Sequence, residues 1–157
     1  MSFYYRKATR EDLPLLVETR VKILRAANRL DDSVDLSLVQ TNSQAYYEKS
    51  LSDGSHIAYL VFDDTLFVGA GGVSFYQVMP TYHNSTGQNA YIMNLYTEPV
   101  YRRRGIASQT LRYLIDEAYA RGITRISLDS TAMGRPLYEK FGFVPMPDEL
   151  ELPYHHQ

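Results

Sequence analysis

The segment Tyr101-Arg102-Arg103-Arg104-Gly105-Ile106-Ala107-Ser108 joins a run of cations to small residues and to the start of an amphipathic helical pattern. The first N–H groups of a helix have no partner within it, and its aligned peptide dipoles leave partial positive charge at that end. Such a start therefore attracts phosphate without a dedicated side chain. Gly105 and Ala107 keep bulk off the backbone where a diphosphate would lie, and the arginines add charge. By itself the octapeptide also fits a solvated basic turn or a nucleic-acid patch. The whole chain, with 16 Lys+Arg against 18 Asp+Glu and a formal charge of −2, lacks the cationic surplus of a dedicated nucleic-acid binder.

The elements that must hold this loop are legible on both sides. Ala90–Thr97 reads as a strand ended by Pro99, and from Ile106 the apolar residues Ala107, Leu111, Leu114, Ile115 and Ala118 recur at helical spacing up to a Gly122 cap. Upstream, Phe3–Ala8 reads as a strand, and Thr9-Arg10-Glu11-Asp12 has the spacing of a capping box. A helix follows, with Leu13, Leu16, Val17, Val21, Leu24 and Ala27 on one stripe and Pro14 in its first turn. Asn28–Ser43 is polar and acidic, and reads as a loop plus a short helix. Ile57–Phe62 and Leu66–Tyr76 flank the turn Asp63-Asp64-Thr65 as an antiparallel hairpin, and Gly69, Gly71 and Gly72 mark a bulge or a close approach in its second strand. Pro80–Asn89 is a loop, and its Asn84-Ser85-Thr86 reads as plain polar sequence rather than a glycosylation acceptor. Ile123–Leu128 is a strand, Pro136–Phe141 a short helix stopped by Gly142, and Phe143–Met146 and Leu150–Tyr154 two last strands. Residues 1–157 thus form one α/β domain with a mixed sheet.

Composition removes several chemistries. The absence of Cys excludes disulfides, a cysteine nucleophile, iron–sulfur clusters and thiolate zinc sites, and suits the cytoplasm. With 45 % hydrophobic and 22 % charged residues the chain is expected to be an ordinary soluble globular protein. Its start is not that of a signal peptide, and no apolar run approaches the roughly 18 residues that span a membrane. Fourteen Tyr and no Trp provide amphipathic rings for core edges or a pocket.

Arg102-x-x-Gly105-x-Ala107 resembles the Arg/Gln-x-x-Gly-x-Gly/Ala signature of the GNAT N-acetyltransferase superfamily. Leu95-Tyr96-Thr97-Glu98-Pro99 is similar to the strand that precedes that loop in the family. Arg6–Leu13 is similar to its first strand–helix, and Leu137-Tyr138-Glu139-Lys140-Phe141-Gly142-Phe143 to its Tyr-x-x-x-Gly-Phe helix. These motifs fall in order across most of the chain, from Arg6 to Phe143. The resemblance implies an α/β (α+β) fold whose central mixed, mostly antiparallel twisted sheet has about six or seven strands flanked by helices. It also implies acetyl-CoA as donor. The backbone of Arg102, Arg103, Arg104, Gly105, Ile106, Ala107 and Ser108 would hold the pyrophosphate, and the pantetheine would pair with Leu95, Tyr96 and Thr97.

On the same resemblance Tyr138 is the acid that protonates the leaving thiolate, a role suited to a phenol whose ordinary pKa of about 10 keeps it protonated. An N–H of the Leu95–Thr97 strand would serve the oxyanion. Thr131 stands where the family often has a pantetheine-binding Asn. The family's early-strand Glu has no counterpart in Ala90–Asn94. Glu98, His83 or a water chain ending at Tyr96 or Asn94 remain for the base, and a non-catalytic CoA-binding module is the alternative reading. The acceptor, a small-molecule or peptide amine, should meet the first helix, Asn28–Ser43 and Tyr76–Asn89. Arg20, Arg25, Tyr76, Tyr82, His83 and the acidic Asp31, Asp32 and Asp35 are its possible contacts. No metal, nucleic acid or membrane is expected as a partner, the terminal His155-His156 reads as decoration, and similar proteins are commonly homodimers.

Overall fold

A computed structural model describes residues 2–154. Strand β1 (Tyr4–Lys7) leads through the Thr9–Asp12 capping box and a 3-10 turn into helix α1 (Leu13–Ala27), with Pro14 in its opening turn. Thr9 N–H donates to Asp12 at 2.7 Å, and Arg6 closes on the same carboxylate at 2.8 Å, so the helix start is tied back to the strand. Helix α2 (Ser37–Asp53) follows, then β2 (His56–Asp63), β3 (Leu66–Gln77), β4 (Gln88–Thr97), α3 (Ile106–Ala120), β5 (Arg125–Leu128) and α4 (Arg135–Phe141). Residues 28–36 are the expected loop, but the helix that follows is not short: α2 runs 17 residues, ten past Ser43. Its buried residues are only Tyr47 and Ser50, so it presents no continuous apolar stripe to betray it.

The five strands lie in the order β1-β2-β3-β4-β5, antiparallel except for the parallel pair β4–β5. One face packs on α3, where Val73, Ile92, Leu111, Leu114 and Ala118 are fully buried. On the other, Leu16 and Val17 of α1 and Tyr47 of α2 close over Ala58, Leu60 and Ala70. The sheet has five strands instead of six or seven, because Phe143–Met146 and Leu150–Tyr154 form no ladder. Pro145 and Pro153 each deprive one of those segments of an N–H donor, and alternation without a bonded neighbour makes no strand. His155 and His156 lie outside the described residues.

Candidate active site

The site originates in a register slip. Ala70 pairs with Tyr96 and Gly72 with Met93, so Asn94 and Leu95 together oppose the single residue Gly71. Asn94 takes the left-handed conformation, φ 61°, which Asn tolerates better than other residues with a side chain. The bulge bends β4, and its pairing with β5 ends at Ile92↔Leu128. Among the described residues, Met93–Thr97 therefore has no partner strand on its β5 side, although it remains bonded to β3 on the other. Such an open edge is a template for any extended chain of amides. Thr97 Oγ1, on the same stretch, is buried without a hydrogen-bond partner.

At the end of that edge stands the N-terminus of α3. The helix presses close onto β3 at its glycines: a Cβ on Gly71 would sit 2.8 Å from Thr110 Cγ2, and one on Gly69 3.0 Å from Ile106 Cγ2. Ile106 itself is buried against Val61 and Val68, so its side chain anchors the helix while its N–H faces the loop side. The preceding loop turns through two left-handed residues, Arg103 (φ 65°) and Gly105 (φ 82°). A Cβ on Gly105 would meet no atom within 4 Å, so the ground above the loop is open. Tyr101 fixes the loop from below. Its hydroxyl donates to Asp63 at 2.6 Å, and the Arg104 guanidinium lies 5.0 Å from its ring centroid. Arg102, Arg103 and Arg104 are exposed.

Tyr138, on α4, is half-buried against the α3-side cluster that contains Ile92, with Phe143 edge-on at 6.1 Å. Burial pushes its phenol above the ordinary value. No hydrogen bond to its hydroxyl is present among the described residues. Thr131 starts the turn into α4: its hydroxyl oxygen accepts from Gly134 N–H at 3.1 Å, and its carbonyl from Arg135 N–H at 3.0 Å. A cavity of about 960 Å³ runs from Tyr138 along β5 beneath residues 143–149.

The α1 side of the bulge collects polar groups from distant parts of the chain. Arg20 Nη1 donates to Asn94 Oδ1 at 3.1 Å. Tyr46 hydroxyl lies 3.0 Å from His56 Nδ1 and 2.6 Å from Ser74 Oγ, which is also 3.1 Å from that nitrogen. Burial, and then the charge of Arg20, lower His56 to about 4, so the ring is neutral at pH 7. Tyr91 is raised to about 12 by burial and by its bond to the Asp129 carboxylate. Ser74, His56, Tyr46 and Asp129 were not singled out in the sequence. The spacing of His56 and Ser74 carries no signal, because the β2–β3 register sets them opposite each other, and Tyr46 reaches them from α2.

Other expected contacts are committed elsewhere. Glu98 is held by Lys22 at 2.7 Å, which argues against a free base there. Arg25 donates to the carbonyls of Asp31 and Val34, and Asp31 and Asp35 accept from the N–H groups of Ser33 and Ser37. Asp32 is exposed, and so are Tyr76, Tyr82 and His83. No group of ligands suited to a metal exists among the described residues, and no helix there is long and apolar enough to cross a membrane.

Residues 22–143 match the model of the acetyltransferase (GNAT) family, and the chain belongs to that family. The crystal structure of a predicted acetyltransferase with acetyl-CoA from Clostridium acetobutylicum superposes with a TM-score of 0.90 at 32 % identity, covering 99 % of this chain and 100 % of that one. A GCN5-related N-acetyltransferase from Ralstonia eutropha gives a TM-score of 0.87 at 27 % identity, over 98 % of this chain and 99 % of that one. An uncharacterized N-acetyltransferase of Bacillus subtilis, YsnE, is 40 % identical over 57 residues. That match spans 33 % of this chain and 38 % of the relative.

Proposed function

We propose that the chain transfers the acetyl group of acetyl-CoA to a primary amine by direct attack in a ternary complex. The observation that carries this reading is the open β4 edge from Met93 to Thr97, ending at the N-terminus of α3. The residues fit the donor. Amides of Arg103 to Ser108 cradle its diphosphate, with Arg102 beside them. Leu95, Tyr96 and Thr97 offer backbone groups to the two amides of the pantetheine, and Thr131 stands near its thiol end.

In the chemical step the amine nitrogen forms a bond to the thioester carbonyl carbon, the C–S bond breaks, and coenzyme A leaves. A backbone N–H beside the bulge supports the oxyanion, and Tyr138 gives its proton to the departing sulfur. The amine loses one proton in exchange. Asp129, which accepts from Tyr91 beside the same edge, is the carboxylate available for it. No acyl-enzyme is needed, in keeping with a chain that has no cysteine.

The Cys-free composition supports a cytoplasmic setting. Leu150 and Leu152, 99 % and 95 % exposed near the chain end, support a homodimer that covers them. Release of free thiol from acetyl-CoA in the presence of a panel of amines tests the activity. Acceptor-dependent release is expected, whereas tight binding with no release from any amine would leave the non-catalytic module.

A further inference from the structure

Arg20 sits on α1, half-buried beside the bulge, and is ion-paired with no carboxylate among the described residues. Its one hydrogen bond is to the neutral amide of Asn94, which leaves most of its five N–H donors unused. Lys22, one half-turn further along the same helix, shows the contrast: it is paired with Glu98 at 2.7 Å and caps the Tyr96 ring. The groups that feel the charge of Arg20 are Tyr47, His56 and Tyr91, from α2, β2 and β4, and all three are neutral at pH 7, so none offsets it. His56, held neutral, adds no second cation.

A half-buried guanidinium without a carboxylate partner is a ready anion site, and its planar fork matches a carboxylate with two parallel hydrogen bonds. Its anchor, Asn94, is the residue at which β4 turns away from β5, next to Leu95 where the thioester end of the donor would lie. We propose that Arg20 binds a carboxylate of the acceptor, which is accordingly a small amino acid whose carboxylate lies one or a few carbons from the amine that is acetylated. This rests on the transferase reading above.

The full chain loaded with CoA is titrated calorimetrically with N-acetylated amino acids covering aliphatic, aromatic, acidic and basic side chains, and with the carboxamide of each. These are reaction products, so no turnover is required. At least one acid should bind roughly tenfold or more tightly than its amide. Arg20→Gln should erase that gap while leaving the affinity for CoA unchanged, and Arg20→Lys should restore part of it. In turnover the same gap between free amino acids and their amides should appear in KM more than in kcat. Acids and amides that bind the wild type alike, or a gap that survives in Arg20→Gln, would overturn the assignment. An N-acetylated aminophosphonate bound in preference to every carboxylate would overturn it as well. Failure of the chain to bind CoA in the loading step is a separate outcome, and it would refute the transferase reading together with the acceptor class.

Discussion

Arg20 and Asn94, separated by 74 residues in sequence, are joined by a hydrogen bond of 3.1 Å that ties the middle of α1 to the bulge of β4. The side chain that receives this bond belongs to a residue whose backbone is left-handed, and that backbone is what turns the second half of β4 away from β5. One contact thus ties α1 to the point where β4 and β5 part.

Replacing Asn94 separates backbone from side chain. Asn94→Gly keeps access to φ 61° and should hold both the fold and acetyl-CoA affinity. Asn94→Val, strained there by about 1–2 kcal/mol, should lower the melting temperature and weaken acetyl-CoA as the bulge is lost. Thermal melts and calorimetry on the two variants check the difference.

At the loop, the protein itself leaves room around Gly105, so the cost of a side chain is conformational for Ala and electrostatic for Glu. Gly105→Ala should cost about 1 kcal/mol through φ 82° alone. Gly105→Glu should weaken acetyl-CoA by about a hundredfold or more, since bulk and negative charge enter the path of the diphosphate. Calorimetric titration reads both.

On the proposed mechanism, Tyr138→Phe removes the proton donor and keeps the ring packed on Phe143, so kcat should fall by about a hundredfold with the Kd of acetyl-CoA nearly unchanged. Burial raises this phenol, so the proton is retained beyond the ordinary phenol range. The alkaline limb of the pH–rate profile should therefore not fall below pH 10 on account of Tyr138. A stopped assay of thiol release across pH, in wild type and variant, decides it.

Much of the frame was legible because its signals are local. The stripe Leu111, Leu114, Ile115, Ala118 and the Gly122 stop mark α3, and the turn at Asp64 marks the β2–β3 hairpin. The loop from Tyr101 to Ser108 is a contiguous pattern and could be read as one. The bulge was not legible in β4, where Tyr91-Ile92-Met93-Asn94-Leu95 reads as continuous strand; its only trace was the glycine cluster of β3 that faces it. The full length of α2 escaped because Tyr47 and Ser50 are nearly all it buries. The Tyr46–His56–Ser74 network escaped because register, not spacing, assembles it.

His56 makes that network a source of acid sensitivity. It is 3 % exposed, its Nε2 has no partner, and its folded pKa of about 4 lies below the ordinary 6.5. The unfolded chain binds the proton first, so the stabilisation is complete above pH 6.5 and is lost as the pH falls toward 4. The loss is on the order of 3 kcal/mol over that window. Denaturant unfolding of His56→Asn should show a flatter dependence of stability on pH between 6.5 and 4 than the wild type. Equal slopes would remove His56 as the cause.

The structure of the acetyl-CoA complex tests the account most directly. It should show the diphosphate on the amides of Arg103 to Ser108, pantetheine hydrogen-bonded to the β4 backbone at Leu95 to Thr97, and the sulfur within reach of the Tyr138 hydroxyl. Coenzyme A bound away from that edge, or a β4–β5 ladder closed past Ile92 in its presence, would contradict it.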